Sequence, residues 1–324
     1  IESCDRSLRV NPDRAGAHEI LSWLNWKWAD ILNDRGQDPS PYLERAIESA
    51  RRAIQIDPDS ASAHHKLGGA LLVAGVWEMD QGHDPRPTLD RSIASLRAAT
   101  ENDPGMVLAH DDLGYAWERV ARYEYSVGLD PRDALDEAIE SFDRAIALNP
   151  EYANAFNNKG IALWRRGYFE FKTGLDPQRS LDEALDALTA ATTLNPNYAY
   201  AYANRGLTYR TKALHLLELD ENPVPWISES RTSLQRALSI NPEISWAYLE
   251  RAAVELVAAR WAIRQETSPE TFFQAATVAV NRALVVNPRY APAHQTAAEV
   301  HRWRADWLLA TGRSPVREAR AGRD

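Results

Sequence analysis

The feature that most constrains this chain is a pattern of prolines with a period of 46 residues, as from Pro12 to Pro58. Asn or Asp precedes proline at Asn11, Asp57, Asp103, Asn149, Asn195, Asn241 and Asn287. A second column of the same period places proline after Asp38, Asp84, Asp130, Asp176, Asn222, Ser268 and Ser314. Because these columns hold 14 of the 18 prolines, the chain is an array of one repeated unit.

Each unit is predicted to contain two helices. Asp, Asn and Ser are preferred helix N-caps, and proline is favoured at the position that follows the cap. Helix A is therefore expected from about Pro12 to Arg35 and helix B from about Pro39 to Ile56, with Gly36 as the stop between them. The same stop position holds Gly82, Gly128, Gly174, Asp220, Glu266 and Gly312. No segment shows strand alternation, so the fold class is all-α.

A column of small residues predicts where helices pack. It consists of Ser22, Gly68, Gly114, Gly160, Gly206, Ala252 and Ala298, once in every helix A. Small side chains at one register position allow a second helix to approach closely. We therefore expect this column to lie at a contact between helices A and B.

Composition and motifs exclude several functional classes. A net charge of −9 argues against a non-specific nucleic-acid binder or a polybasic membrane-surface protein. The single cysteine, Cys4, excludes a disulfide framework and a multi-cysteine metal site, and it fits a reducing, cytoplasmic compartment. No apolar run approaches the roughly 20 residues that a membrane span needs. Nucleotide-binding and kinase motifs are absent as well, so we expect no cofactor, no metal and no enzymatic activity in this chain.

The segment AIESFDRAIALNPEYANAFNNKGIALWRRG, residues 138–167, resembles the tetratricopeptide repeat. The positions that carry the resemblance are Ala138, Phe142, Ala145, Pro150, Ala155, Phe156 and Gly160. The family unit has about 34 residues, so the unit here is extended between helices A and B. The resemblance implies a right-handed α-solenoid, a superhelix of about seven repeats that start at residues 11, 57, 103, 149, 195, 241 and 287.

The expected domain organisation is a single solenoid over residues 1–324. Residues 1–10 match the second half of a helix B, and both ends look truncated. Long repeats with G-x-D-P turns also resemble the arrays that follow the kinase domain in some bacterial serine/threonine protein kinases. This narrower resemblance implies the regulatory or sensing arm of a larger bacterial protein.

The family resemblance also implies a function: non-catalytic binding of a protein or peptide in a concave groove lined by the A helices. Matched by position, the expected groove residues are Asp111, Tyr115, Asn157, Asn158, Trp164, Asn204 and Arg210. Asn158 and Asn204 occupy equivalent positions and resemble an asparagine ladder that holds a peptide backbone, or they are ordinary solvated side chains. The alternative function is a structural solenoid that self-associates into a homo-oligomer.

Two further sets of residues allow more than one interpretation. Five cations, Lys159, Arg166, Arg205, Lys212 and Arg251, form either an anion-binding stripe or ion pairs with helix B carboxylates such as Asp182 and Asp186. Four histidines share one column with Phe156, Tyr202 and Tyr248, which indicates packing rather than metal binding. Trp23, Trp26 and Trp28 lie too close together in one helix to share a face, so at least one should be exposed or line the groove.

Overall fold

The computed structural model describes residues 8–314, apart from the side chain of residue 34. Residues 8–10 are helical, and thirteen helices follow with no strand among the described residues. The A helices are α1 (Ala15–Asp34), α3 (Ala61–Asp80), α5 (Val107–Ser126), α7 (Ala153–Lys172), α9 (Ala199–Glu218), α11 (Ser245–Arg264) and α13 (Ala291–Ala310). The B helices are α2 (Ser40–Ile56), α4 (Arg86–Asn102), α6 (Arg132–Leu148), α8 (Gln178–Leu194), α10 (Val224–Ile240) and α12 (Glu270–Val286). Cys4 and most of the predicted terminal half-repeats lie outside the described residues.

The B helices begin where the second proline column predicts. The Asp38 carboxylate accepts a hydrogen bond of 2.9 Å from the backbone N–H of Ser40, and Asp130 accepts one of 3.1 Å from Arg132. The proline between the accepting cap residue and the donating N–H has no N–H of its own, so it leaves no orphan donor in the first turn. The predicted capping of helix B is confirmed.

The A helices begin about three residues later than predicted. Asn149 is the C-cap of α6 and is extended, at φ −139° and ψ 91°, because the following proline disfavours the helical conformation. Its side chain accepts a hydrogen bond of 3.1 Å from the backbone N–H of Glu151, which forms an Asx turn. The first proline column therefore ends helix B and shapes the loop, and each A helix has 20 residues.

The residue that ends the turn after helix A has a left-handed backbone conformation in every repeat. Gly82 has a φ of 79° and Gly128 one of 80°, in the left-handed region where glycine is least strained. Asp220 and Glu266 have φ values of 60° and 52°, although they carry side chains. The Asp220 N–H still donates 3.2 Å to the Leu217 carbonyl, so the turn geometry is kept where glycine is replaced.

The small-residue column lies at the contact between helices A and B, as expected. A Cβ added to Gly114 would lie 2.7 Å from the Phe142 ring, and one added to Gly206 would lie 2.5 Å from Leu234. The hydroxyl of Ser230 donates 2.8 Å to the Gly206 carbonyl across the same contact. These distances leave no room for a larger side chain, so the column sets how closely the helices approach.

The chain divides into two compact units, Ile1–Phe169 and Glu170–Asp324, with the division inside α7. The first unit is built around large buried side chains that include Leu89, Leu96, Leu135 and Phe142. The second has cores that include Leu217, Ile227, Leu234 and Phe273. Within each unit, apolar side chains of the B helices, such as Phe142 and Leu234, pack against the A helices.

Candidate functional site

In the first unit, neighbouring A helices contact each other through polar as well as apolar side chains. Glu19 on α1 accepts hydrogen bonds from the Ser62 hydroxyl at 2.6 Å and from the Lys66 ammonium at 3.1 Å, both on α3. Burial raises the pKa of Glu19, but these donors outweigh burial and hold the pKa below its usual value. The exposed side of the A helices, called the A-helix face below, therefore carries an ordered network of polar side chains.

Asp111 makes the corresponding contact between α5 and α7. This predicted groove residue is 7% exposed and accepts hydrogen bonds from the Asn158 amide at 3.1 Å and the Tyr152 hydroxyl at 3.2 Å. Burial and the adjacent charge of Asp112 raise the pKa of Asp111 to about 6. Asp112 turns towards α3, where its carboxylate lies 2.8 Å from His65 Nε2.

The predicted asparagines take part in the same network. Asn157 is buried, and its amide donates 3.3 Å to the side-chain carbonyl of Asn158. Asn158 thus uses both its donor and its acceptor within the protein. Asn204 is half-buried on α9, in the second unit. Reading of a peptide backbone by Asn158 and Asn204 stays a prediction, and Asn158 would have to exchange its present partners for it.

A buried glutamate that is not among the predicted groove residues, Glu118, lies about two helical turns beyond Asp111 on α5. Glu118 is 2% exposed, hydrogen-bonded by Arg165 of α7 and 3.2 Å from Arg119 Nε. Burial raises the pKa of Glu118, but the charges of the surrounding arginines outweigh burial and lower it overall. Arg119 also covers Tyr115, with the guanidinium 4.2 Å from the ring centroid. The predicted groove residue Tyr115 is therefore held in place by a charged neighbour.

Trp164 lies on the same face of α7 and is half-buried. Its ring stacks on Tyr168 at a centroid distance of 5.5 Å and an interplanar angle of 27°. The guanidinium of Arg165 lies 5.6 Å from the Trp164 centroid. Trp164 is thus a rigid, partly exposed aromatic surface, as an anchor for a partner requires. Its role as an anchor stays a prediction.

In the second unit, the A-helix face is less polar at the equivalent positions. Ala203 is buried where the first unit has Asp111 and Asn157. Arg210, a predicted groove residue, donates 2.6 Å to Glu250 on α11, and both side chains are mostly buried. Arg210 therefore joins two A helices of this unit.

The five cations of the predicted anion-binding stripe all contact helix B. Lys159 lies 2.5 Å from Asp143, Arg166 lies 3.0 Å from Asp136, and Lys212 pairs with Asp182. Arg205 donates to hydroxyls of Ser233 and Thr192, and Arg251 donates to Gln235. These contacts are of the kind that the alternative interpretation predicts, in which the five cations pair with helix B side chains such as Asp182. Anion binding by the stripe stays a prediction.

The histidine column has the structural role that its pattern indicates. His18 Nε2 lies 2.8 Å from the Pro12 carbonyl and His64 Nε2 lies 2.9 Å from the Pro58 carbonyl. Each ring is therefore hydrogen-bonded to the loop that precedes its helix A. Within residues 8–314, no group of three or more His, Cys, Asp or Glu side chains is placed to hold a metal ion. None of the described helices has the length and apolarity to cross a membrane.

A cleft of about 170 Å³ opens on the A-helix face of the first unit, between α1, α3 and α5. Its lining consists of Trp26, Lys27, Asp30, Asn33, Gly69, Leu72, Val73, Val76, Asp112 and Tyr115. Two buried polar atoms of this lining, Trp26 Nε1 and Asn33 Oδ1, have no hydrogen-bond partner among the described residues. Trp26 is 6% exposed, whereas Trp23 and Trp28 are 46% and 45% exposed, as the crowding of three tryptophans predicts.

Sequence reasoning did not identify this cleft. Its walls come from the A helices of three successive repeats, and the absence of a side chain at Gly69 makes room for the Trp26 ring. Trp26, Leu72 and Glu118 recur with the 46-residue period, but this spacing does not show which of them are buried. Only Tyr115 is shared between the cleft and the predicted groove residues.

Comparisons with known proteins agree with this architecture. The family match, described as TPR repeat, covers residues 132–167. The nuclear import adaptor Nro1 of S. pombe has 14% sequence identity and a TM-score of 0.57, over 89% of this chain and 99% of that chain. The APC/C hetero-tetramer Cut9–Hcn1 has 13% identity and a TM-score of 0.57, over 92% of this chain and 45% of that chain. PilF of Pseudomonas aeruginosa has 16% identity and a TM-score of 0.50, over 87% and 99%.

A comparison with curated protein sequences gives no significant match. The match over helix B of one repeat and helix A of the next, together with the fold shared with solved structures, agrees with the helix pairs described above. Residues 132–167 therefore match the tetratricopeptide repeat, and the chain has an all-α fold of repeated helix pairs with a period of 46 residues, as from Asn11 to Asp57.

Proposed function

We propose that this chain is a non-catalytic interaction module that binds an extended peptide or a helix of a protein partner on its A-helix face. The observation that carries the proposal is the cleft between α1, α3 and α5, where buried polar groups of Trp26 and Asn33 lack partners within the described part of the chain. Unpaired buried polar groups are costly, and a peptide supplies both a donor and an acceptor for them.

Partly exposed aromatic side chains on the same face support the proposal. Trp23 is 46% exposed on α1, Tyr115 lines the cleft on α5, and Trp164 stacks on Tyr168 on α7. Rigid aromatic rings beside polar groups concentrate binding energy at interfaces. The net charge of −9 disfavours a nucleic acid as the partner.

The finer part of the proposal concerns the parent protein. The G-x-D-P turns resemble those of repeat arrays beside bacterial serine/threonine kinase domains. On that resemblance, the chain would be the cytoplasmic sensing or regulatory arm of such a protein. The arm would bind the partner and so bring it to the kinase domain.

The test is selection of binding peptides from a displayed library with the purified chain, followed by calorimetric titration of the peptides recovered. Trp164→Ala should weaken binding by about 2 kcal/mol, roughly thirtyfold in Kd. Glu140→Ala, on an exposed position of α6, is the matched control and should leave Kd unchanged. Loss of binding in the Glu140 variant with full binding in the Trp164 variant would place the interface on the B helices and contradict the proposal.

Self-association is the second candidate, and exposed apolar side chains on one B helix favour it. Val278 and Val285 on α12 are 62% and 73% exposed and lie seven positions apart on one helix side. If they form a contact between copies, the sedimentation coefficient should rise with protein concentration, and Val285→Lys should abolish the rise. A constant coefficient at all concentrations would rule this candidate out.

A further inference from the structure

One side of helix α1 is apolar and exposed along most of its length. Its members follow the spacing of a single helix side, i, i+3, i+4, i+7, i+8 and i+11. These residues, called the α1 face below, are Ile20, Trp23, Leu24, Lys27, Trp28 and Ile31. The two isoleucines are 52% and 40% exposed, both tryptophans are nearly half exposed, and Leu24 is half-buried. An exposed apolar surface of this extent indicates an interaction site.

The same positions on α3 show what kind of element covers such a face. Ala70 of α3, which corresponds to Leu24, is fully buried, and Val73 is 8% exposed. Both pack in one apolar cluster with Trp26 of α1. Within residues 8–314, α1 itself is in contact with the helices α2 and α3 alone, and these leave the α1 face exposed. Because a helix fills the corresponding face of α3, a helix has the shape that fits the α1 face.

The α1 face reads almost the same in both directions along the helix. Isoleucine lies at each end, tryptophan comes next, and Leu24 and Lys27 lie in the middle. If two copies of α1 pack antiparallel about a two-fold axis level with residues 25 and 26, positions at equal distance from the axis face each other. The facing pairs are then Ile20 with Ile31, Trp23 with Trp28, and Leu24 with Lys27. A contact between two copies of one surface requires this kind of self-complementarity.

Lys27 decides between the antiparallel and the parallel arrangement. In a parallel pair each residue would face its own counterpart, so the two Lys27 ammonium groups would meet within the contact, and like charges there are destabilising. In the antiparallel pair each Lys27 faces Leu24 of the second copy. Its aliphatic stem can pack against that leucine while the ammonium stays in water.

We propose that the α1 face binds a second copy of this chain, with the two α1 helices antiparallel about a two-fold axis. A contact made by one pair of helices is smaller than a standard interface, so the dimer should dissociate in the micromolar range. The inference goes beyond the proposed function, because the ligand is a second copy rather than a peptide. It also differs from the contact through Val278 and Val285 considered above, which uses α12.

The test measures the mass of the whole chain by sedimentation velocity at concentrations from about 1 to 200 µM. The mass should rise from that of one copy towards that of two. Ile20→Glu and Ile31→Lys, each at an exposed position, should raise the dimer Kd at least about tenfold, because each places a charge against an isoleucine of the second copy. Val285→Lys, at an exposed position of α12, is the matched control and should leave the Kd unchanged.

A double variant tests the antiparallel register. Ile20→Glu and Ile31→Lys in one chain place a glutamate opposite a lysine twice in the proposed dimer. Self-association should therefore recover, with a Kd at least about fivefold lower than that of either single variant. A parallel arrangement would instead bring like charges together, and the double variant would then associate no better than the single ones. Circular dichroism of each variant checks that the helices are retained.

Three outcomes would overturn the proposal. A wild-type chain that keeps the mass of one copy at every concentration would show that a different partner covers the α1 face. Association that is abolished by Val285→Lys and kept in Ile20→Glu would place the contact on α12. Single variants that dissociate, together with a double variant that does not recover despite native circular dichroism, would exclude the antiparallel register.

Peptide binding and self-association can be tested separately. Trp23 belongs to both the α1 face and the A-helix face, so the proposed dimer would cover it. Ile20→Glu, which should remain a single copy, is therefore the variant in which contact of a library peptide with Trp23 is measured. Peptide binding by a chain that never dimerises would refute this inference alone. A dimer through the α1 face, when no library peptide is enriched, would keep it and refute peptide capture as the function.

Discussion

The two units of the chain share a backbone and differ in what they present on their A helices. Helix A has 20 residues and helix B 17 in both units, and the left-handed turn is retained in both. In the first unit, Asp111 and Glu118 are buried carboxylates that join A helices. In the second, Ala203 is buried at the position equivalent to Asp111. Because a buried alanine satisfies the packing at this position, the fold does not require a charge there, and the first unit differs in joining its A helices through Asp111.

The largest expected effect compares a buried glutamate in each unit. Glu118→Ala would leave Arg119 and Arg165, which are 13% and 27% exposed, close together without their shared carboxylate. Glu255→Ala would leave only Arg231, which is 34% exposed and can turn to water. We expect losses in unfolding free energy of about 3 kcal/mol for Glu118 and about 1 kcal/mol for Glu255, measured by urea denaturation. Equal losses would show that the two units hold buried charge in the same way.

The next prediction concerns a feature that both units share, the close contact between helices A and B at a glycine. Gly114→Leu and Gly206→Leu should each destabilise the chain by about 2 kcal/mol or more, because the new side chain would overlap Phe142 in one unit and Leu234 in the other. The same substitution at Gly16, which is exposed and has nothing within 4 Å of its added Cβ, is the control. A Gly114 variant with unchanged thermal unfolding would show that the helix contact in the first unit tolerates expansion.

The third prediction is a pH dependence confined to the first unit. The pKa of Asp111 is about 6 in the folded chain and 3.8 for the unperturbed group, so the folded state retains a proton that the unfolded state releases. The contribution of Asp111 to stability should therefore fall as pH rises from about 4 to 6, and Asp111→Asn should remove this contribution, a change on the order of 1–2 kcal/mol. The comparison is made by urea denaturation at pH 4 and pH 7. A wild-type profile identical to that of the variant would contradict the burial of this carboxyl.

The smallest effect concerns the turns of the second unit. Asp220→Gly and Glu266→Gly should each stabilise the chain by about 1 kcal/mol, because both side chains occupy a left-handed conformation that glycine adopts without strain. Gly128→Ala, in the equivalent turn of the first unit, should destabilise by a similar amount. In thermal unfolding, the melting temperature should rise for the two glycine variants and fall for Gly128→Ala. A loss of stability in either glycine variant would mean that the replaced side chain makes a contact worth more than the strain.

The regularities of the repeat were predictable from sequence because they are local. Proline spacing, the capping aspartates and the position of Gly36 determine where helices begin and end, and these depend on neighbours in the chain. The start of helix A was misplaced because Asn149-Pro150 resembles a helix cap, although its proline forces an extended residue that ends α6.

The contacts of the site were not predictable in the same way. Asn158 meets Asp111, and Arg165 meets Glu118, each across a full repeat. No local propensity encodes which polar side chains of successive A helices face each other. The unpaired Trp26 indole in the cleft likewise depends on three helices at once.

The central claim is that the A-helix face binds the partner, and hydroxyl-radical footprinting with a library-selected peptide tests it most directly. We expect oxidation of Trp23, Tyr115 and Trp164 to fall when the peptide is bound, and oxidation of Leu148 and Val285, which are exposed on B helices, to stay constant. Protection of Leu148 or Val285, with unchanged oxidation of the three aromatic side chains, would contradict the claim and place the partner on the B helices.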